Sequence, residues 1–132
     1  LVEKIRHDKS FILDEAVEFH LDLDPNLSPV IVPGEVRYQM TSIVNEALNN
    51  ISKYAQAKNV WIQLTKREGA INMVIRDDGI GFNPENVRND KVKASGYGLG
   101  NMQKRVDRVK GTISIDSKPG EGTTILVRIP LK

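Results

Sequence analysis

Two adjacent carboxylates and two glycines follow an alternating apolar run, in the stretch Asp77-Asp78-Gly79-Ile80-Gly81. The alternation over residues 70–76 is typical of a half-buried strand, so the acidic residues stand where a strand gives way to a turn. An ionised carboxylate only accepts hydrogen bonds. At the floor of a pocket, Asp77 would select a ligand edge that offers N–H groups, such as the amino group of adenine, and would repel the carbonyl of guanine. On its own, the stretch favours an ordinary acidic β-turn.

A second candidate group lies on the strongest helix that the sequence predicts, from Glu35 to about Ala55. Its apolar residues recur every three or four positions and form one stripe. At about 100° per residue, Glu46, Asn50 and Lys53 fall within roughly 60° of each other at the margin of that stripe. A carboxylate, an amide and an ammonium therefore stand where a pocket could open. A solvated helix flank is an equal alternative.

A third candidate is the glycine-rich turn Gly96–Met102, which opens a helix. Such a turn presents free backbone N–H groups and the positive end of a helix dipole, which together hold phosphate. Taken alone this motif is weak, because glycines also serve as hinges and caps. Near the end of the chain, the turn at residues 118–122 could bring Thr123 to a neighbouring pocket.

The composition is that of an ordinary soluble globular domain. The chain has 132 residues, 39% of them hydrophobic and 27% charged, which fits one domain with its own core. A net charge of +2 gives no sign of general affinity for nucleic acid or membranes. The absence of cysteine excludes disulfides and thiolate metal sites, and suits a cytoplasmic setting. We interpret the chain, which begins at Leu1, as a piece of a longer protein.

The remaining pattern predicts an α/β domain. A first helix is expected over residues 1–17 and a last one from Leu99 to Gly111. Trp61 falls on the opposite strand face from its apolar neighbours and is expected to be half exposed. Asn83–Ser95 is a long polar loop, expected to be mobile. Strands are expected where apolar and polar residues alternate, over 18–23, 60–65, 70–76, 112–117 and 123–130.

Four stretches stand in one order along the chain: Asn45–Ala55, Asp77–Phe82, Gly96–Met102 and Gly120–Thr124. In that order and spacing they resemble the asparagine box, the two glycine boxes and the terminal Gly-Thr box of the GHKL ATPase superfamily. That superfamily joins gyrase, heat-shock chaperones of the ninety-kilodalton class, histidine kinases and mismatch-repair proteins. The Asn-Glu-Ala-Leu start and the Gly-Leu-Gly-Asn-Met helix are most similar to sensor histidine kinases that pair with NarL-type response regulators. The resemblance covers about residues 18 to 131.

The resemblance implies a role for each matching residue. Asn50 matches the Mg²⁺-binding asparagine, Lys53 a phosphate-contacting lysine and Asp77 the adenine-reading aspartate. Glu46 matches a glutamate that positions or activates the attacking group, and residues 83–95 match a mobile lid. Tyr54 stands where this subfamily often has histidine. The other positions implied to contact ATP are Gly79, Gly81, Gly96, Gly98, Leu99 and Thr123.

The resemblance also implies the Bergerat fold, a two-layer α/β sandwich with a mixed, mainly antiparallel sheet of about five strands and helices on one face. Residues 18–132 would be the ATP-binding catalytic domain, and residues 1–17 a helical lead-in from an upstream domain. With Mg²⁺ and ATP, the domain would transfer the γ-phosphoryl to a histidine of its dimerisation domain, for onward transfer to a response regulator. The piece itself would be monomeric and the whole kinase a cytoplasmic homodimer or the cytoplasmic part of a membrane-bound sensor.

The phosphoacceptor histidine is not expected within this stretch. His7-Asp8 has the form of a phosphoacceptor pair, but the strand expected at residue 18 leaves no room for a dimerising helical hairpin. His7 is therefore expected to be a solvated helix histidine. Two alternatives stay open: a serine kinase of the anti-sigma-factor kind, which shares the pocket, and a nucleotide-binding interaction module that never turns ATP over.

Overall fold

The fold is described from a computed structural model, which places residues 2–25, 27, 32–83 and 99–131. The predictions made for Gly96, Gly98 and the loop 84–95 lie outside these described residues. The described elements, in chain order, are α1 (Val2–Ile12), β1 (Glu18–Leu23), α2 (Gly34–Asn50), a π-helical turn (Ile51–Ala55), β2 (Asn59–Arg67), β3 (Ala70–Asp77), α3 (Leu99–Arg108), β4 (Thr112–Ser117) and β5 (Thr123–Pro130).

The five strands form one sheet in the order β1-β2-β3-β5-β4. β1 runs parallel to β2, and the other three pairs are antiparallel, which confirms the expectation of a mixed, mainly antiparallel sheet. In this register Asp77 at the end of β3 lies beside Thr123, and Thr123 lies beside Ser117. The central strand therefore ends next to the start of β5 and the end of β4, where three polar side chains meet.

One hydrophobic core lies between the helices and one face of the sheet. Each described helix contributes to it, α1 through Ile5, α2 through Met40 and α3 through Met102, all with no exposed surface. The strands contribute their alternate apolar residues, such as Ile62 and Ile75. This arrangement confirms the two-layer α/β fold, and it shows that α1 packs as part of the same core.

The opposite face of the sheet carries Trp61 half-buried, as its strand position predicted. The His20 ring stacks on the indole with centroids 5.5 Å apart. The Arg76 guanidinium lies 4.3 Å from the indole ring centroid on the next strand, a cation–π contact. These cross-strand neighbours account for the tryptophan without a ligand.

The first helix is shorter than expected, because it ends at Ile12 and not near residue 17. The Asp14 side chain accepts a hydrogen bond from the Ala16 backbone N–H at 2.8 Å, and Val17 N–H reaches the Asp14 carbonyl at 3.0 Å. An aspartate that bonds to the backbone two residues on offers the chain a turn in place of the helix. Apolar spacing alone did not reveal this.

The long helix changes its geometry at its C-terminal end. It is α-helical to Asn50 and continues as a π turn over Ile51–Ala55, where one continuous helix was expected. The turn stops at Gln56, which takes a left-handed φ of 52°. The carbonyl of Ala55 accepts the Ile80 N–H at 2.8 Å. A contact with a distant part of the chain thus satisfies the end of this helix, and helical periodicity cannot report it.

Gly79 packs directly against the end of that turn, and its replacement should destabilise the fold. A Cβ at this position would lie 2.2 Å from the Ala55 carbonyl oxygen. We expect Gly79→Ala to lower the free energy of unfolding in urea by about 1–3 kcal/mol, because overpacking forces the backbone to move. Gly34→Ala is the matched control, since no atom of the described residues lies within 4 Å of a Cβ there. Equal losses in the two variants would contradict this close packing.

Candidate nucleotide-binding site

A cavity opens between α2 with its π turn, the turn after β3, and α3. It holds about 490 Å³ of empty space, a figure that includes the open solvent at its mouth. Most of its described lining is apolar and comes from both layers of the fold: Ala47, Ile51, Ala55, Ile75, Phe82, Leu99, Met102, Ile115 and Ile125. The remaining lining residues are Asn50, Tyr54, Asp77, Gly81 and Thr123.

Asp77 is the buried carboxylate of this cavity, with 5% of its surface exposed. One oxygen, Oδ1, accepts the Gly79 backbone N–H at 2.8 Å. Burial raises the pKa of Asp77 above its ordinary value, and the charge of Asp78 raises it further, while hydrogen bonds from the backbone of Gly79 and Thr123 act against the rise. The cavity therefore holds a desolvated acceptor among apolar neighbours, which is suited to a ligand that brings N–H donors.

Asp78, although adjacent to Asp77, binds the start of β2 and does not line the cavity. Its Oδ1 accepts the backbone N–H groups of Lys58 and Asn59 at 2.9 and 2.8 Å, and its Oδ2 accepts the Asn59 side-chain amide at 3.0 Å. The hydrogen bond from the Asn59 side chain is the main reason that the pKa of Asp78 is lowered. Asp78 is exposed and fastens the start of β2, so only one of the two carboxylates belongs to the cavity.

A hydroxyl pair closes the cavity beside Asp77. Ser117 Oγ donates to the Gly122 carbonyl at 3.0 Å and accepts the Phe82 backbone N–H at 2.9 Å. Ser117 Oγ and Thr123 Oγ1 are 2.8 Å apart. Because a serine hydroxyl has one proton, Thr123 must donate in that bond. The Thr123 oxygen is then left to a ligand as an acceptor, like the carboxylate next to it.

The cavity gathers six of the ten predicted ATP-contacting residues: Asn50, Tyr54, Asp77, Gly81, Leu99 and Thr123. Gly79 contacts the cavity indirectly, through its hydrogen bond to Asp77. Lys53 is exposed and is not part of the described lining, so its phosphate contact stays a prediction. Gly96 and Gly98 lie outside the described residues.

Glu46, the predicted catalytic residue, does not line the cavity. It lies on α2 next to Ala47, which does. Its Oε1 pairs with the Nε of Arg105 on α3 at 3.3 Å. Its Oε2 is buried and has no hydrogen-bond partner among the described residues. Sequence spacing did not identify Arg105, because the two residues are 59 positions apart.

Other site residues that the sequence did not single out are Ser117, Phe82, Met102 and Ile115. Strand alternation could have placed Ile115 on the inner face, but it could not show that β4 borders the cavity. The part of the chain that the structure describes holds no cluster of three or more His, Asp or Glu side chains able to bind a metal. None of its helices is long and apolar enough to cross a membrane.

Residues 35–132 match the family described as histidine kinase-, DNA gyrase B- and HSP90-like ATPases. The chain is 34% identical over 99 residues to the signal transduction histidine-protein kinase/phosphatase DegS of Brevibacillus brevis, which covers 75% of this chain and 24% of that protein. It is also 34% identical over 112 residues to the oxygen sensor histidine kinase NreB of Staphylococcus carnosus, covering 85% of this chain and 31% of that protein. The chain thus spans about a quarter to a third of the length of these relatives.

Solved structures agree on the fold. The blue-light activated histidine kinase of Erythrobacter litoralis EL346 superposes with a TM-score of 0.78 at 18% identity, over 98% of this chain and 40% of that one. The mycobacterial sensor histidine kinase MprB gives a TM-score of 0.74 at 22% identity, over 98% of this chain and 93% of that one. Sequence match and architecture together lead to one conclusion: the chain belongs to the histidine kinase-, DNA gyrase B- and HSP90-like ATPase family, as an ATP-binding domain homologous to those of sensor histidine kinases.

Proposed function

We propose that this domain binds ATP with Mg²⁺ in the cavity at Asp77 and transfers the γ-phosphoryl group to a histidine of a dimerisation domain elsewhere in its kinase. The phosphoryl group would pass on to a response regulator of the NarL type. The observation that carries the proposal is the buried, acceptor-only carboxylate of Asp77 in an apolar cavity of a domain of this ATPase family.

Adenine fits the chemistry of the cavity floor. Its amino group offers N–H donors to the carboxylate of Asp77, and Thr123 adds a second acceptor. The flat apolar ring would lie among side chains such as Ile51, Met102 and Ile125. Guanine would set a carbonyl oxygen against two acceptors, and leaving such groups unpaired in a buried site is unfavourable. The site therefore favours ATP over GTP.

Asn50 is the residue proposed to hold Mg²⁺. It lines the cavity with Asp77, and its amide oxygen is a hard ligand of the kind that Mg²⁺ accepts. Mg²⁺ keeps several waters and binds mainly through substrate phosphates, so the lack of a carboxylate cluster among the described residues suits this arrangement. When bound, the ion would neutralise charge that develops on the phosphates.

The phosphotransfer would proceed by displacement at the γ-phosphorus. A ring nitrogen of the acceptor histidine forms the new bond with its lone pair, and ADP leaves with the electrons of the broken bond to the β–γ bridging oxygen. The proton on the other ring nitrogen passes to Glu46, through the oxygen Oε2 that has no partner among the described residues. Lys53 and the N-terminal end of α3 would balance the phosphate charge.

The domain boundaries and partners belong to the same proposal. Residues 1–17 would lead in from the upstream domain, with α1 packed on the core of the catalytic domain that residues 18–132 form. The piece would be a monomer, and the whole kinase a homodimer acting on the cytoplasmic side, with no nucleic-acid partner. His7 is exposed on α1, as expected of a solvated helix histidine.

Nucleotide selectivity tests the role of Asp77. ATP or ADP with Mg²⁺ should raise the melting temperature of the domain, and GTP should not. Asp77→Asn should weaken ATP binding by roughly 1.5–3 kcal/mol, the range for a hydrogen bond to a charged group. Titration calorimetry on both proteins measures this. Equal stabilisation of the wild type by ATP and GTP would remove Asp77 from base recognition.

The stability of the nucleotide-free domain should depend on pH with a predictable sign. Because the pKa of Asp77 is raised on folding, its contribution is fully present below about pH 3.9, the ordinary pKa of Asp, and is lost as the pH rises through the folded pKa. Relative to Asp77→Asn, the wild type should therefore become less stable as the pH increases above about 3.9.

Asp78→Asn gives the control of opposite sign for that experiment. The pKa of Asp78 is lowered, so its contribution is present above about pH 3.9 and is lost on acidification. Urea unfolding of the three proteins at several pH values supplies the comparison. A stability difference between wild type and Asp77→Asn that does not change with pH would contradict the burial of an ionisable Asp77.

Three substitutions on α2 and its π turn should separate by role. Asn50→Ala should abolish the Mg²⁺ dependence of ATP binding, because it removes the proposed protein ligand. Lys53→Ala should weaken ATP more than adenosine, since only phosphates meet its charge, and Lys58→Ala at an exposed position is its control. Glu46→Gln should leave ATP binding nearly intact but slow phosphotransfer in the full-length kinase.

Titration of these variants with ATP and adenosine, with and without Mg²⁺, gives the pattern. Solvated flank residues would change stability by no more than about 0.5 kcal/mol and leave nucleotide affinity unaltered. Three indistinguishable binding curves would therefore reject the assignment of Asn50, Lys53 and Glu46 to the site.

A further inference from the structure

Arg105 connects α3 to α2 at two points. Its Nε donates to Glu46 Oε1 at 3.3 Å, and its Nη1 donates to Gln39 Oε1 at 3.2 Å. Glu46 and Gln39 lie seven positions apart on α2, about two helical turns, and so share a face of that helix. The guanidinium fork is planar and rigid, so contacts at two of its nitrogens fix its orientation.

Gln39 is an anchor and not a mobile partner. It is 1% exposed, among the few buried polar residues that the structure describes. Its amide nitrogen donates to Glu35 Oε1 at 3.0 Å, which leaves its carbonyl oxygen directed to Arg105. A buried amide with both ends engaged has little freedom to rotate, so the position of the Arg105 guanidinium is set by α2 itself.

Only one of the two carboxylate oxygens of Glu46 has a hydrogen-bond partner among the described residues. Oε1 is occupied by Arg105, while Oε2 is buried without a hydrogen-bond partner among the described residues. The side chains of Glu46 and Arg105 are 22% and 26% exposed, so the ion pair is partly buried. An ion pair formed only to join two helices would usually satisfy both carboxylate oxygens, so the open oxygen calls for a further partner.

The same helix α3 also borders the nucleotide cavity. Leu99 and Met102 line it, and Arg105 stands one turn beyond Met102 on the helix. A single rigid element thus contacts the cavity at one end and fixes Glu46 at the other. The geometry of the nucleotide site and that of the carboxylate are therefore set together.

We propose that Arg105 is a positioning residue for phosphotransfer, with Gln39 as its anchor: it orients Glu46 so that Oε2 is the oxygen that takes the imidazole proton. This inference rests on the proposed function. A carboxylate free to change rotamer would be out of place for most of the time, and misplacement of about an ångström can slow a reaction by roughly a hundredfold. Arg105 would prevent this although it is not part of the described cavity lining.

The test compares single and double variants of the full-length kinase. Arg105→Ala should lower kcat for autophosphorylation roughly ten- to hundredfold, part of the effect of a general base, while the Kd for ATP changes by no more than about twofold. Arg105→Lys should recover part of the rate, since it keeps the charge but loses the fork. Arg108→Ala, an exposed arginine on the same helix, should behave as wild type.

The decisive comparison is the effect of Arg105→Ala in a Glu46→Gln background. If Arg105 acts through Glu46, Arg105→Ala should lower kcat by no more than about twofold in the Glu46→Gln background, because the effects of residues that act as a unit are not additive. An equal cost in both backgrounds would overturn the proposal. The proposal would also be overturned if Arg105→Ala lowered ATP affinity and melting temperature but left kcat unchanged, because that result indicates a purely structural role.

Gln39→Met provides a second route should Arg105→Ala fail to fold. It keeps the side-chain length but removes the acceptor, so kcat should fall with ATP affinity retained, and an unchanged kcat would contradict the anchoring role. A wild type that labels no histidine would reject the proposed function and this inference together, whereas a Glu46→Gln variant at full rate would reject the catalytic role of Glu46, and with it this inference, but not the kinase activity. A slow Glu46→Gln variant beside fully active Arg105→Ala and Gln39→Met variants would reject the inference alone.

Discussion

Burying the carboxylate of Asp77 disfavours its charged form, and the surrounding chain is arranged to limit that cost. Backbone N–H groups of Gly79 and Thr123 stabilise the ionised carboxylate, and the turn that provides Gly79 is fastened to the end of the long helix through Ile80 and Ala55. The carboxylate remains desolvated, however, and an acceptor in low dielectric binds donors more strongly than it would in water. The same burial that costs stability therefore creates affinity for an N–H-bearing ligand.

Close backbone packing is the second requirement, and two glycines make it possible. A Cβ at Gly79 would meet the Ala55 carbonyl oxygen at 2.2 Å, and one at Gly122 would meet the Asp77 carbonyl oxygen at the same distance. Gly122 also has a φ of +74°, which side chains other than glycine rarely adopt. These contacts join the π turn, the end of β3 and the start of β5 at one point. The cavity is thus a consequence of how the two layers meet.

Much of the fold and part of the site could be predicted from the sequence, because the patterns that indicate them lie within short stretches of the chain. Alternation predicted all five strands to within about two residues of their observed bounds, and the apolar stripe predicted the long helix. Asp77 stood at the end of an alternating strand, but on its own that stretch favours an ordinary acidic β-turn, and only the other motifs singled it out. The order of the four glycine and asparagine motifs then predicted the family, which residues 35–132 confirm.

The features that sequence did not predict depend on contacts between distant residues. The π turn is stabilised by the hydrogen bond between Ala55 and Ile80, which helical periodicity does not contain. Asp77 lies in the cavity and Asp78 does not, because Asp78 accepts a hydrogen bond from Asn59 on another strand. The pairing of Glu46 with Arg105 joins two helices across 59 positions. Helical spacing placed Glu46 at the edge of the core but gave no information about its partner.

Base recognition by Asp77 is the central claim, and the most direct test of it removes one group from the ligand. The affinity of the domain is measured by calorimetry for ATP and for purine riboside triphosphate, which lacks the 6-amino group, using both the wild type and Asp77→Asn. The wild type should bind ATP more tightly by roughly 1.5–3 kcal/mol, and most of that preference should disappear in Asp77→Asn. Equal affinity of the wild type for the two nucleotides would contradict the account.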